Sequence, residues 1–198
     1  MGKCLFLSFF KSLPPSCQDP GSRHRIWQLR NDRRDHVLLE RPYRRDFAIA
    51  YAERWALGRN PAYADFSMLG GDCTNFASQC VFAGSGVMNP TPETGWYYYN
   101  LQSRSASWTG VEFFADFMLR NRGIGPYAVL VPLSQAKPGD VIQLGNAERF
   151  YHSLIVLGKN SYEVYVAAHS QDALWRELSS YSYARLRCLH FPAVRVNE

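Results

Sequence analysis

Hydrophobic and polar positions follow two different rhythms along the chain. In the first part apolar residues recur three and four apart. Tyr43, Phe47, Ala50, Tyr51 and Trp55 keep helical spacing behind Pro42, a residue suited to a first helical turn, and Gly58 closes the run. Phe76, Ala77, Cys80, Val81 and Phe82 predict a second helix behind Gly70-Gly71-Asp72, stopped at Gly84. Val111, Phe114, Phe117 and Met118 line a third, with Thr109 and Glu112 spaced as a capping box. Beyond Tyr127 the period shortens to that of strands, predicted over 127–131, 140–144, 150–157, 162–168 and 185–191. Helices first and antiparallel strands afterwards predict an α+β fold, with N-terminal helices packed on a C-terminal antiparallel β-sheet.

Two stretches keep neither rhythm. Residues 1–41 combine a Pro, Ser and Gly-rich link over 12–22 with an arginine-rich run, and are expected to form a basic, partly ordered extension before a domain spanning 42–191 and a tail over 192–198. Residues 84–107 hold Trp96, Tyr97, Tyr98 and Tyr99 with few aliphatics. Such a loop either offers stacking faces to sugars or peptides or closes over the core, and the sequence leaves both open.

Charge and cysteine content narrow the classes. A net charge of +5 over 198 residues is modest, and a solvated face explains the arginine run, so no nucleic-acid partner is expected. The five cysteines, Cys4, Cys17, Cys73, Cys80 and Cys188, are odd in number and contain no Cys-x-x-Cys, which argues against a disulfide framework or a zinc pattern. No metal or other cofactor is expected. The apolar run in the first ten residues is too short to span a bilayer and lacks a small-residue cleavage site, so neither a transmembrane segment nor a leader is predicted. The default location is then the cytoplasm, or the cell wall if the true start lies upstream. The sequence sets no oligomeric state.

Cys73 is the candidate for chemistry. Most free cysteines are small buried hydrophobes, but a Gly-Gly-Asp-Cys-Thr-Asn turn is a costly way to present one, and the start of a helix favours thiolate through unpaired N–H groups and the dipole. A hairpin turn at Gly158-Lys159-Asn160-Ser161 would put His152 opposite Ala167 and make His169 its diagonal neighbour on the same face. Cys73 as nucleophile, His152 as general base and His169 as orienting group would supply a thiol amidase or peptidase. Asp72 is assigned to capping or substrate contact. Asn75 and Asp172 are weaker orienting candidates, and Trp96 is a substrate-contact candidate in the loop. The Cys73 N–H is a natural oxyanion donor. A metal site using both histidines and one cysteine lacks any supporting acidic cluster.

With these residues in place the chain resembles the "Putative amidase domain" family, similar to a branch of the papain-like NlpC and CHAP peptidases. The resemblance rests on Tyr43-Arg44, Ala50-Tyr51-Ala52, Trp55, Asn60-Pro61 and Tyr63, and on the run from Gly71 through Phe76 with Ser78-Gln79-Cys80. It continues through Trp96, Ser107-Trp108, Pro138-Gly139-Asp140, His152-Ser153 and Ala168-His169-Ser170 with Asp172. It covers 42–191. It implies a papain-like fold and hydrolysis of an amide bond, with a peptide or peptidoglycan stem fragment as substrate. Two other readings stay open: a non-catalytic module that binds a wall polymer, and an acyltransferase using the same site.

Overall fold

The computed structural model describes residues 38–198, so all but the last four residues of the expected basic extension lie outside the described residues. In chain order the elements are β1 (Leu38–Pro42), α1 (Arg45–Trp55), α2 (Cys73–Ser85), α3 (Ala106–Thr109), α4 (Val111–Arg120), β2 (Gly125–Pro126), β3 (Val129–Val131), β4 (Val141–Gly145), β5 (Phe150–Lys159), β6 (Val164–Ala168), β7 (Ala173–Glu177), β8 (Arg185–His190) and β9 (Ala193–Asn197). A six-stranded sheet runs β3-β8-β4-β5-β6-β7, and a second, three-stranded sheet runs β1-β9-β2. All their strand pairs are antiparallel. The fold is α+β, with helices preceding and packed on the larger sheet, as the change of period predicts.

Alternation along the strands separates two cores. Val141, Ile155, Leu157, Ala167 and Leu189 point to the helices and pack with Phe76, Cys80 and Phe114. Ile142, Leu144, Leu154, Val156, Val166 and Cys188 point the other way and pack with Leu178 and Ala136. The sheet is therefore buried on both faces at its centre, which explains why β4 is buried throughout despite alternating sides.

Several boundaries differ from expectation for local reasons. Pro42 ends β1 instead of opening a helix, and α1 starts at Arg45. Helix α2 passes through Gly84 and ends at Gly86, which takes the left-handed conformation of a C-cap (φ 67°). Gly84 is required for closeness instead: a Cβ there would collide with the Tyr43 ring. Glu112 forms no capping box, because α4 begins after Gly110 and its carboxylate is taken by the Phe150 amide (2.9 Å) and Arg187 (2.7 Å). The aromatic loop closes over the core. Trp96 and Trp108 are fully buried with ring centroids 4.8 Å apart, and the Trp96 indole donates to Ser78 (3.0 Å).

Candidate active site

The loop that presents Cys73 needs two glycines. Gly70 and Gly71 have φ of 104° and 110°, conformations that side-chain-bearing residues rarely adopt. The Gly71 amide donates to Phe66 O (3.1 Å), the Asp72 amide donates to Ser170 Oγ (2.8 Å), and Asp72 O accepts the first helical bond from Phe76 (2.9 Å). Cys73 is thereby the first residue of α2. Asp72 sits at the cap position without capping the helix through its side chain. Its Oδ1 accepts from the Phe66 amide (2.9 Å) and Asn75 Nδ2 (2.8 Å), and its Oδ2 lies 2.6 Å from His169 Nδ1.

His169 uses its whole ring on the helix side. Nε2 donates to Trp55 O (2.9 Å), which can only accept, and Nδ1 shares a hydrogen with Asp72. The ring stacks on Phe76 with centroids 3.9 Å apart. Asn75 is held equally firmly: its Oδ1 accepts from Trp108 Nε1 (2.9 Å) and its Nδ2 also donates to Ala64 O (3.1 Å). Asp72, Asn75 and His169 are at most 1% exposed. They form a satisfied polar support beneath the loop.

His152 lies on the other side of the sheet. Ala167 pairs with Ile155, not with His152, a displacement of three residues from the expected register. The turn spans Asn160 to Glu163, where Asn160 Oδ1 accepts from the amides of Tyr162 and Glu163 (both 2.8 Å). An odd displacement reverses which faces coincide. His169 is therefore no neighbour of His152, and both of its ring nitrogens are already engaged. The expected hydrogen bond between the two rings is not formed.

Cys73 and His152 instead both line one cavity of about 430 Å³, whose wall includes Gly70, Gly71, Leu144, Ser170, Arg176 and Tyr181. The His152 ring lies 5.9 Å from that of Tyr181. Burial, followed by the positive charge of Arg176, lowers the His152 pKa from 6.5 to about 4. Burial also raises that of the Cys73 thiol above its ordinary 9.0, against the pull of the Ser153 amide and Thr74. The thiolate expected from the helix N-terminus is thus overridden by desolvation, leaving a neutral thiol and a neutral imidazole on one cavity. A larger recess of about 730 Å³ lies over the β5–β6 turn, lined by Lys159, Tyr162 and Glu163 among others, and contains neither cysteine nor histidine.

Comparison with known families bears on this geometry. Residues 42–191, about three quarters of the chain, match the profile described as "Putative amidase domain". The chain belongs to the putative amidase domain family. It is similar to YhbB of Bacillus subtilis (strain 168), named as uncharacterized, at 40% identity over 122 residues, covering 60% of this chain and 38% of that one. It is also similar to the uncharacterized YjcM of the same organism, at 30% identity over 136 residues, covering 64% and 31%. The chain thus spans only about a third of the length of these relatives. No solved structure matches. The family description points to amide hydrolysis, and the matched segment contains Cys73, His152 and the cavity wall.

Behind this amidase domain's cavity runs a polar chain that the sequence reading missed. Thr74 Oγ1 and Ser153 Oγ are 3.0 Å apart, Gln143 Nε2 donates to Ser153 Oγ (3.1 Å), Arg187 Nε donates to Gln143 Oε1 (2.7 Å), and Arg187 ends on Glu112 (2.7 Å). Thr74 and Ser153 are the immediate chain neighbours of Cys73 and His152, so the relay ties the two elements together. Its signal was Gln143, a polar residue inside an otherwise apolar strand. The remaining candidates lie elsewhere. Trp96 is in the core, and Asp172 forms a two-bond pair with Arg59 (2.9 and 3.0 Å). Among the described residues no group of three or more His, Cys, Asp or Glu could hold a metal ion, and no helix is long and apolar enough to cross a membrane.

Proposed function

We propose that this domain is a papain-like, cysteine-dependent amidase that hydrolyses a peptide-type amide, with peptidoglycan stem peptides as the substrate class. The observation that carries the reading is that Cys73 and His152 line one cavity, the thiol at the start of a helix and the imidazole on a strand. Both groups are neutral at rest, so His152 takes the thiol proton as Sγ attacks the carbonyl carbon. The developing oxyanion faces the Cys73 N–H at the start of α2. His152 then returns the proton to the departing amine as the C–N bond breaks, leaving an acyl thioester on Cys73. His152 then takes a proton from a water that attacks the thioester carbon; the C–S bond breaks, the acid leaves, and the proton passes from His152 to Sγ, restoring the thiol. Asp72 and His169 act as positioning residues that hold the loop, and the reaction requires no cofactor. A wall-polymer module relying on Trp96 finds no support in a tryptophan that is wholly buried.

The test is incubation of the full chain with a panel of peptide amides, stem peptides included, followed by mass analysis of products and of the protein. The expected result is cleavage with an acyl group trapped on the peptide containing Cys73, and neither cleavage nor adduct in Cys73→Ala. Cleavage by Cys73→Ala at the parent rate overturns the mechanism. Transfer of the acyl group to an added amine in preference to water would identify an acyltransferase.

A further inference from the structure

Arg176 differs from four other partly buried arginines. Arg45, Arg59, Arg187 and Arg195 each face a carboxylate, on Asp140, Asp172, Glu112 and Glu40 respectively. Arg176 forms no ion pair among the described residues, and it is the only charged residue on the wall of the cavity shared by Cys73 and His152. Strand register explains its place. Val156 of β5 pairs with Val166 of β6, which pairs with Arg176 of β7, so Arg176 emerges on the face that carries His152 and Leu154.

The guanidinium is also held in position. Nε donates to Ser180 Oγ (2.9 Å), one amino group donates to Ser180 O (3.3 Å), and the Tyr181 ring lies 4.0 Å from its central carbon. That uses two of its five N–H groups, on one edge. The remaining edge keeps the forked geometry that matches the two oxygens of a carboxylate. An ordered cation without an ion pair among the described residues and with an unused fork, set in a cavity large enough for a short peptide segment, is suited to receive an anion.

We propose that the Arg176 edge of this cavity is a subsite for a substrate carboxylate, so that the amide presented to Cys73 is one close to a free acid group. This rests on the hydrolase reading above and deepens it. It also couples recognition to chemistry. The other titratable groups of the cavity are Cys73, Tyr151, His152 and Tyr181, and Arg176 supplies its one positive charge. A carboxylate bound there offsets that charge and makes His152 a stronger base at the moment the substrate is in place.

The experiment compares N-acetylalanine with N-acetylalaninamide as calorimetric ligands for the full chain, in the parent and in Cys73→Ala, where turnover is excluded. The acid should bind about tenfold or more tightly than the amide, the range of a charge-assisted pair. Arg176→Gln should erase that preference while melting as the parent does, and Arg176→Lys should retain part of it. Equal binding of acid and amide, binding of neither, or a preference that survives Arg176→Gln overturns the subsite. The two readings separate cleanly. Acid preference without cleavage of any amide upholds the subsite and sinks the hydrolase, whereas cleavage indifferent to a neighbouring carboxylate does the reverse.

Discussion

The support beneath the Cys73 loop and the cavity in front of it each contain a histidine, and the two are treated in opposite ways. His169 has a partner for each nitrogen and a ring stacked on its face. His152 accepts no such attention: no group among the described residues hydrogen bonds its ring, and its nearest influences are burial and a like charge. A satisfied buried histidine holds structure, whereas one with no protein partner, lining the same cavity as a thiol, is available for a proton. The same division applies to charge, since Asp72 and Arg59 are neutralised by neighbours and Arg176 is not.

Exchanging the two histidines in turn is the most forceful way to break this contrast. His152→Ala should reduce amide hydrolysis by about 10²–10⁴-fold, the usual worth of a general base, with little change in denaturant unfolding. His169→Ala should instead cost about 2–5 kcal/mol of stability, because Asp72 Oδ2 and Trp55 O lose a hydrogen-bond partner and the ring stacked on Phe76 is removed. A His169→Ala protein as stable as the parent would dissolve the distinction.

Acid titration sharpens it with a smaller effect. The native chain holds a proton on His152 less readily than the unfolded chain does, so the unfolded state gains that proton first as pH falls. Stability contributed by the neutral ring is present above pH 6.5 and drains away toward pH 4. Since the ring is partly exposed, the loss should be about 1–3 kcal/mol. Urea unfolding at pH 7 and pH 4.5 should show that loss in the parent and a reduced one in His152→Gln. The acid limb of kcat/KM should likewise fall near pH 4, not near 6.5. Smallest of all should be the effect of removing residues 1–37. The pairing of β1 with β9 begins at Leu38, and the unfolding free energy should stay within about 0.5 kcal/mol.

Local signals in the sequence reached a good part of this architecture. The glycine pair and the apolar run behind it placed Cys73 at a helix start, and the strand carrying His152 was visible from its alternation. Pairing was not, because it depends on turn geometry. Gly158-Lys159-Asn160-Ser161 has the composition of a tight hairpin, yet the chain stays paired to Lys159 and turns over Asn160's side chain. A three-residue error moved His169 to the wrong face. The thiolate expectation ran into a different obstacle, since a helix terminus is a local feature, whereas burial of the thiol depends on how the whole chain packs around it. Strands β1, β2, β7 and β9 were missed because each is short and its few apolar positions run into charged residues, glycine or proline.

The pairing of Leu38 with Asn197 has an architectural consequence. The polypeptide enters and leaves this unit at neighbouring points, like a bead hung from a thread. Such a unit can sit within a longer polypeptide without pulling on its interior. Relatives about three times as long as the matched segment are compatible with that manner of use.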